Sequence, residues 1–459
     1  MPISPARVAA FDILIRIERE SSYANELLHS AIYENLSIQD HALTTELVMG
    51  VLRWRSRLDD EIAQASAQPL RKLDLEILIS LRLALYQFRN LTRIPQRAAL
   101  HESVELVKRA RKQSAAPFVN AVLRRLSMQR QSQENPQCRS VSSVVKDFSA
   151  VELAKSCAHP EWLVERWIKE YGADTASEIC AHNQSIPTTT IRLRSRAAEA
   201  AEGELTMQGI RLHPGSLLRD ARRVDSGGII QTQAFRGGQI VIQDEASQLV
   251  AALVGQVEKR HARILDCCAA PGGKTLAIAD FNPNAEITAV EVHPHRARLM
   301  QKLWGVSAKK IETVVADART LPDSDPYDRI LADVPCSGTG TLARNPEIKW
   351  RLKSEDLPDL RDRQLAILRS ALKHLAPGGR LVYSTCSLEK EENEDVIEQV
   401  LAEDNSVNLL ICAEELKHLE EEGQLIYPHL ESLTRGRYLR TIPGLHPCDG
   451  FFAAILGKK

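Results

Sequence analysis

Apolar residues recur every three or four positions through residues 4–126, which is the spacing of helices with one buried face. Four stretches carry the pattern: Val8, Phe11 and Ile15; Leu78, Leu81 and Leu85; Leu100, Val104 and Val107; Phe118, Val122 and Leu126. Several helices of this kind form a bundle with its own core. Residues 127–143 are rich in Gln and Ser and hold little apolar material, as expected of a linker. The pattern therefore predicts a helical domain over residues 1–140.

The following segment mixes helical and strand patterns, which predicts a small α+β subdomain over residues 144–235. Residues 151–171 have a helical pattern, 188–194 a strand pattern, and 196–208 a second helical pattern. Two tryptophans lie in the first helical stretch, and we expect them to anchor the core rather than to stack on bases.

From residue 236 onward, short apolar runs alternate with helical patterns, which predicts a parallel sheet covered by helices on both faces. The predicted strands span 263–267, 286–291, 311–316, 328–333 and 379–384. The predicted fold class is therefore multidomain: an all-α helical bundle, a small α+β subdomain and a Rossmann-like α/β domain. Ligands of such sheets bind beyond the carboxyl ends of the strands, so residues at those ends are candidates for chemistry.

A small, glycine-containing turn follows the first of these strands and precedes a helical pattern. It is made of Cys268, Ala269, Ala270, Pro271, Gly272, Gly273 and Lys274. Glycine lets the backbone approach a ligand closely, and a helix N-terminus offers free N–H groups. The turn is not a Walker A phosphate loop, because Cys268 stands where that motif needs its first glycine. The sequence also lacks a Gly-x-Gly-x-x-Gly dinucleotide pattern, so this is a nucleotide-type turn of another kind.

The next two predicted strands end near an acidic residue each, Glu291 and Asp317. An acid about 20 residues beyond a glycine turn is where nucleotide-binding sheets hold a ribose hydroxyl. Taken alone, each of the two would be interpreted as a surface acid. In series after the glycine turn, they predict the wall of an adenosine pocket.

Two cysteines stand where the last two predicted strands end, Cys336 within Asp333–Ser337 and Cys386 within Ser384–Ser387. A thiolate is a strong nucleophile once its pKa is lowered. Buried structural cysteines are common, so for either cysteine alone the structural and functional interpretations carry about equal weight. The turn and the acids that precede them favour function.

These motifs, in this order and spacing, resemble the RNA 5-methylcytosine methyltransferases that use S-adenosylmethionine. The resemblance rests on Cys268–Lys274, Glu291, Asp317, Pro335–Ser337 and Thr385–Ser387. Amino-group methyltransferases typically have an Asp-Pro-Pro-Tyr type sequence where this chain has its first cysteine motif. DNA cytosine methyltransferases use a single cysteine after the fourth strand, whereas this chain has both cysteines of the RNA family.

The resemblance implies a covalent mechanism with S-adenosylmethionine as cofactor. Cys386 is implied to be the nucleophile that adds to C6 of cytosine, and Cys336 to resolve the adduct as the base that removes the C5 proton. Asp333 is implied to contact the cytosine, donating a proton to N3, or to border the cofactor. The implied cofactor-binding residues are Cys268, Ala269, Ala270, Pro271, Gly272, Gly273, Lys274, Glu291, Asp317 and Asp333.

Three segments of the helical domain, 23–25, 51–54 and 117–124, resemble the RNA-binding domain of the antitermination factor NusB. Combined with the C-terminal motifs, this architecture resembles bacterial methyltransferases of 16S rRNA. The implied partner is RNA, namely 16S rRNA before or during assembly of the small subunit.

The implied domains are a NusB-like RNA-binding bundle (1–140), an α+β substrate-binding subdomain (144–235) and an S-adenosylmethionine-dependent methyltransferase domain (236–459). In methyltransferases of this fold the last strand, here 449–456, pairs antiparallel with its neighbour. Between the two cysteines, Arg344 and Lys349 are candidate contacts to RNA phosphates, with incidental charges on a surface loop as the alternative.

The composition, 44% hydrophobic and 26% charged, is typical of a globular protein, and the net charge of −1 gives no indication of RNA binding. We interpret the acidic run 387–425 as a solvated surface. The cysteines lack zinc-type spacing, so we expect no metal. The start has no signal-peptide pattern and the sequence has no long apolar run, so we expect a cytoplasmic protein without a membrane partner. The sequence has no heptad pattern that would indicate a dimer, so we expect a monomer.

Three alternatives stay open on the sequence. The first is the same chemistry on tRNA. The second is a non-enzymatic RNA-binding protein with a vestigial C-terminal domain, which the presence of both cysteines disfavours. The third is a DNA cytosine methyltransferase, which the second cysteine motif and the NusB-like segments disfavour.

Overall fold

A computed structural model describes residues 3–20, 22–33, 35–128, 149–194, 198–259, 261–304 and 310–459. The chain divides into two compact units. The first is Met1–Ile186 with Leu342–Arg351, and the second is Pro187–Thr341 with Leu352–Lys459. The predicted linker, 127–143, lies almost wholly outside the described residues.

The first unit is helical, as the apolar spacing predicts. Its helices before residue 186 are α1 (Pro5–Glu20), α2 (Ala24–Leu28), α3 (Ile38–Ser66), α4 (Leu75–Asn90), α5 (Gln96–Arg109), α6 (Ala116–Met128), α7 (Ala150–Ser156), α8 (Glu161–Tyr171) and α9 (Ala173–Gln184). The apolar faces of α1 to α6 form one core, in which Ile13, Leu47 and Ile79 are fully buried. The long helix α3 is capped by Ser37, whose hydroxyl accepts a hydrogen bond from the Asp40 N–H.

Residues 151–171, predicted as one helical stretch, contain two helices. Helix α7 begins with a capping box, in which Ser149 and Glu152 each accept a hydrogen bond from the other's backbone N–H. The chain leaves the helical conformation before Pro160, because proline disfavours that conformation in the residue ahead of it. Trp167 in α8 is 1% exposed and packs in the core, as expected.

The second unit begins with a four-stranded antiparallel sheet in the order β2-β3-β1-β4. Its elements are β1 (Thr189–Leu193), α10 (Ala198–Met207), β2 (Arg211–Pro214), β3 (Ala221–Ser226), α11 (Gln233–Arg236) and β4 (Ile240–Ile242). Arg192 and Arg194, at the end of β1, both form ion pairs with Asp280, at 2.7 and 2.6 Å. These pairs tie the small sheet to the rest of the second unit.

A nine-stranded sheet forms the rest of the second unit, in the order β11-β12-β13-β9-β8-β5-β6-β7 with β10 paired to β13. Its strands are β5 (Arg263–Asp266), β6 (Glu286–Val290), β7 (Ile311–Val314), β8 (Tyr327–Asp333), β9 (Leu375–Thr385), β10 (Val407–Leu409), β11 (Thr434–Arg435), β12 (Tyr438–Thr441) and β13 (Phe451–Lys458). The remaining helices are α12 (Glu245–Ala252), α13 (Gly273–Phe281), α14 (Pro294–Trp304), α15 (Ile348–Arg351, in the first unit), α16 (Asp356–Lys373), α17 (Glu394–Glu403) and α18 (Cys412–Glu421).

Strands β5 to β9 are parallel, and β13 pairs antiparallel with β9, as expected of the last strand. Successive residues of β8, Ile330 and Leu331, face two different hydrophobic cores, so apolar material covers both faces of the sheet. The predicted fold class is confirmed: an all-α helical bundle, a small α+β domain and an α/β domain with a mainly parallel sheet.

The ten residues Leu342–Arg351 belong to the first unit, although the chain on both sides belongs to the second. Lys349 is 1% exposed, and its Nζ donates hydrogen bonds to the carbonyls of Arg53 and Ala158, both at 2.9 Å. Burial lowers the pKa of Lys349 well below its usual value. The prediction that Lys349 contacts RNA phosphates is therefore wrong, because backbone carbonyls enclose its amine. Contact between Arg344 and an RNA phosphate stays a prediction.

Within the described ranges, no helix is both long enough and apolar enough to cross a membrane.

Candidate active site

The two cysteines meet because the strands that carry them are parallel neighbours. β8 and β9 pair in register, with Asp333 opposite Ser384 at their carboxyl ends. Cys336 and Cys386 follow a few residues later, and their Sγ atoms lie 3.3 Å apart. Both cysteines are half-buried, so the pair of thiols stands at the edge of the sheet where ligands bind.

Cys336 is the thiol that keeps its proton. Its hydrogen bond with Cys386, and then burial, raise the pKa of Cys336 well above its usual value. The two sulfurs are close enough for a hydrogen bond in which either thiol can donate, and a Cys336 that keeps its proton is able to donate it to the sulfur of Cys386.

Lys274 and Asp333 form an ion pair near the cysteines. Lys274 Nζ lies 2.8 Å from Oδ2 of Asp333, and the Ser384 hydroxyl donates to Oδ1 at 2.7 Å. Burial lowers the pKa of Lys274, but the negative charges of Asp333 and Cys386 outweigh burial and raise that pKa overall. Lys274 is therefore an ammonium group, which places a positive charge near Cys386.

The glycine turn lies between β5, which is the other neighbour of β8, and helix α13. Gly272 has a φ of 105°, a conformation that favours glycine, and it directly precedes α13. No described side chain caps this helix, so its first N–H groups are open to a ligand. Gln243 faces Gly273, and its buried Oε1 accepts no hydrogen bond from any described residue. A ligand with both acceptors and donors therefore fits the turn.

The two acids lie beyond the ends of β6 and β7, which are parallel neighbours at the same edge. Glu291 is 7% exposed, and its Oε1 accepts a hydrogen bond from the His293 N–H at 2.8 Å. Asp317 is half-buried and pairs with Arg319 at 2.6 Å, and this contact lowers the pKa of Asp317. Glu291 directly follows β6, whereas Asp317 lies beyond the end of β7, at the start of a short 3-10 helix.

A buried carboxylate behind the cysteines was not predicted. The acidic run is not solvated throughout, because Glu389, Glu392 and Glu394 are only 2%, 0% and 9% exposed. Glu394 pairs with Arg440 at 2.7 Å, whereas Glu392 accepts hydrogen bonds from both cysteine loops. The only indication in the sequence was that Glu392 follows closely after Ser387, the last residue of the second cysteine motif.

Gly340 lets three backbone segments approach each other near the cysteines. Its N–H donates to the carbonyl of Cys386 at 2.9 Å, and its own carbonyl accepts from the Gly450 N–H at 2.8 Å. A Cβ at this position would lie 2.2 Å from the Gly450 oxygen, so no side chain fits. Glycine here keeps the loop of Cys336 against the loop of Cys386.

Asp266, the last residue of β5, is a buried carboxyl beside the glycine turn. Its carboxyl accepts a hydrogen bond from Thr275 Oγ1 at 2.7 Å, but burial raises the pKa of Asp266 from 3.8 to about 6. The folded protein thus binds this proton more tightly than the unfolded chain, so stability falls as pH rises between these two values. We expect Asp266→Asn to remove this fall, which is about 3 kcal/mol in unfolding free energy.

Urea unfolding of both proteins across this pH window measures the effect. The unfolding free energy of the wild type should decrease relative to Asp266→Asn as the carboxyl ionises, and the difference should level off above the folded-state pKa. A difference that does not change with pH would contradict the titration of Asp266.

Three family models match the chain: the NusB family over residues 4–128, an RsmF/B-like ferredoxin-like domain over 159–231, and the 16S rRNA methyltransferase RsmB/F over 254–457. The chain is also 34% identical to the probable ribosomal RNA small subunit methyltransferase B of Bacillus subtilis (strain 168), with all of both chains covered. It belongs to the RsmB/F family of 16S rRNA methyltransferases. The resemblance to bacterial 16S rRNA methyltransferases with a NusB-like domain is thereby confirmed.

A second relative is similar to this chain in sequence, and two solved structures are similar to it in fold. The ribosomal RNA small subunit methyltransferase B of Escherichia coli O17:K52:H18 is 31% identical over 96% of each chain. The crystal structure of PH0851 shares the fold over 100% of both chains, with a TM-score of 0.80 and 23% identity. The structure of NSun6 from Pyrococcus horikoshii with SFG covers 65% of this chain and 98% of its own, with a TM-score of 0.55 and 21% identity.

Proposed function

We propose that this chain transfers a methyl group from S-adenosylmethionine to C5 of one cytosine in 16S rRNA through a covalent bond between Cys386 and C6. The observation that carries the proposal is the pair of sulfurs 3.3 Å apart at the strand ends, next to the glycine turn. One thiol can form the adduct, and the second can act as the base that resolves it.

Nucleophilic attack is the first step, because C5 of cytosine is too weak a nucleophile to take a methyl group unaided. Addition of the Cys386 thiolate to C6 breaks the aromatic system and gives C5 the character of an enamine carbon. The S–H of Cys336 and the ammonium group of Lys274 stabilise that thiolate before attack. Cys386 is therefore the nucleophile.

Resolution of the adduct needs a base that removes the C5 proton, after which the Cys386–C6 bond breaks and aromaticity returns. Cys336 lies beside the reacting ring when Cys386 is bonded to it. The largest cause of its raised pKa is the contact with Cys386. That cause weakens once Cys386 has become a thioether, so half-buried Cys336 loses its proton to solvent more easily, and its thiolate then accepts the C5 proton.

The residues around the glycine turn fit S-adenosylmethionine, which supplies an electrophilic methyl group when bound. The open N–H groups of α13 suit a carboxylate, and the unpartnered Oε1 of Gln243 suits an ammonium group. The turn residues Cys268 to Lys274 would hold the methionine end of the cofactor, which carries that carboxylate and that ammonium group. Glu291 would hold the ribose, Asp317 would lie by the adenine, and Asp333 would border the pocket. Since both oxygens of Asp333 already accept hydrogen bonds, this role suits it better than contact with the base.

The RNA assignment is supported by the relatives, whose name gives small-subunit ribosomal RNA as their substrate, and by the match to the NusB family. A base must leave its stack to reach a pocket, and unpaired loops release bases at the lowest energetic cost. We therefore expect the target cytosine in an unpaired region that is accessible before or during subunit assembly.

Labelled S-adenosylmethionine tests the proposal, with deproteinised 16S rRNA, small subunits and bulk tRNA as separate substrates. We expect label in deproteinised 16S rRNA as 5-methylcytidine, and release of tritium from rRNA that carries tritium at C5 of cytosine. Label in tRNA alone would overturn the substrate, and a different methylated nucleoside would overturn the chemistry. RNA binding without methylation of any substrate would favour the non-enzymatic alternative.

A further inference from the structure

We propose that Glu392 is a positioning residue that holds the loops of Cys336 and Cys386 at their working separation. The inference rests on the proposed function, because it concerns the same two thiols. Glu392 ends the 3-10 helix Lys390–Glu392 between β9 and α17, and none of the described hydrogen-bond donors to its carboxylate is a sulfur. Its role follows from the hydrogen bonds that converge on its carboxylate.

Each cysteine is followed by a serine that binds this carboxylate. Oε2 of Glu392 accepts hydrogen bonds from the hydroxyls of Ser337 and Ser387, both at 2.5 Å. Oε1 accepts from the Ser337 N–H and from Nε2 of Gln364, both at 2.8 Å. One carboxylate therefore joins the residue that follows Cys336 to the residue that follows Cys386.

The carboxylate is itself fixed in place. Glu392 is 0% exposed, and the hydroxyl of fully buried Tyr383 donates to its backbone carbonyl at 2.6 Å. Gln364 also donates to the carbonyl of Pro335, so helix α16 holds the chain on the other side of Cys336. A buried carboxylate is costly unless donors satisfy it, and the four donors here fill its acceptor sites.

The position of the two sulfurs depends on this arrangement, because neither loop is part of a strand. Beyond Asp333 and Thr385 the ladder between β8 and β9 has ended, so regular strand pairing no longer sets the distance between the chains. Together with the hydrogen bond from the Gly340 N–H to the Cys386 carbonyl, the carboxylate and its two serines take the place of the ladder over this short stretch. Misplacement of a reacting group by about 1 Å lowers a rate by roughly 100-fold.

The test uses Glu392→Gln, with Glu245→Gln as matched control. Glu245 is also a buried carboxylate that accepts three backbone N–H groups, but it contacts neither cysteine loop. We expect Glu392→Gln to lower kcat by about 10- to 100-fold while KM for RNA and the Kd for S-adenosylmethionine change little. Glu245→Gln should leave kcat close to that of the wild type.

A second measurement reports the distance between the thiols without any methyl transfer. Diamide takes two electrons and two protons from a pair of thiols and leaves a disulfide, which requires the sulfurs to close to about 2.0 Å. Peptide mapping measures the rate at which the Cys336–Cys386 disulfide forms. We expect this rate to be several-fold lower in Glu392→Gln than in the wild type and in Glu245→Gln. Because this result does not depend on the RNA, it separates failure of the positioning role from failure of the proposed function.

Double-variant analysis covers the case in which Glu392→Gln does not fold. Ser337→Ala and Ser387→Ala each remove one donor and leave the carboxylate, and the two together should approach the predicted losses in kcat and in disulfide formation. Where Glu392→Gln folds, adding it to that double variant should cost little more, because the three residues act as a unit. Wild-type kcat and wild-type disulfide formation in folded Glu392→Gln, or in the serine double variant, would overturn the proposal.

Discussion

Cys386→Ala should abolish methyl transfer, with a loss in kcat of roughly 10⁴-fold or more, because covalent activation of C5 has no substitute in the site. The variant should still bind S-adenosylmethionine and RNA, since the glycine turn and the helical unit are untouched. Its folding should also be preserved, because Cys386 is half-buried and its removal leaves the backbone hydrogen bond from Gly340 intact. Single-turnover transfer of labelled methyl is the measurement.

The matched control is Cys412→Ala, which removes a fully buried thiol on α18 that is not part of the site. We expect it to methylate at a rate close to that of the wild type. Methylation by Cys386→Ala within ten-fold of wild type would show that Cys386 is not the nucleophile.

The Cys336→Ala variant should form the covalent adduct with RNA but resolve it only slowly. The nucleophile and the cofactor turn remain, so the first methyl transfer proceeds, but loss of the base slows release by roughly 10²- to 10⁴-fold. On a denaturing gel, the variant mixed with S-adenosylmethionine and 16S rRNA should run as a protein–RNA adduct. The wild type should show little of this species, because it resolves the adduct.

Adding Cys386→Ala to this variant should remove the adduct, which identifies the sulfur that is bonded to RNA. An adduct with tRNA and none with rRNA would keep the chemistry and change the substrate. If Cys336→Ala turned over normally, or gave no adduct with any RNA while the wild type methylates, the assigned roles of the two cysteines would be wrong.

Strand positions could be predicted from the sequence because buried parallel strands are continuous apolar runs. For the same reason, the predicted end of β7 lies too far along the chain. The apolar run of β7 continues through Val315, but the ladder with β6 ends at Val314 and Val315 is 52% exposed. Apolar character alone does not report where hydrogen bonding stops.

The contact between the cysteines was only half visible in the sequence. Each stands after a strand, but their separation of 3.3 Å follows from β8 and β9 being neighbours, which is a property of strand order. Glu392 was hidden because its neighbours along the chain are acids, so the local sequence resembles a solvated surface. Its four donors come from residues up to 55 positions away.

The burial of Lys349 escaped prediction for a similar reason. Charge in a loop is ordinarily a sign of exposure, and the carbonyls that accept its hydrogen bonds belong to Arg53 and Ala158, 296 and 191 positions earlier. Pairings at such separations leave no trace in local sequence periodicity.

The place of Leu342–Arg351 in the first unit has a consequence for how the chain is made. A ribosome that synthesises the protein from its N-terminus completes Met1–Ile186 long before it reaches these ten residues. At typical rates of chain elongation the delay is on the order of ten to thirty seconds. During that interval the nascent first unit lacks the amine of Lys349 and the indole of Trp350 that later donate to its backbone carbonyls. The first unit therefore reaches its final packing only after most of the second has been translated.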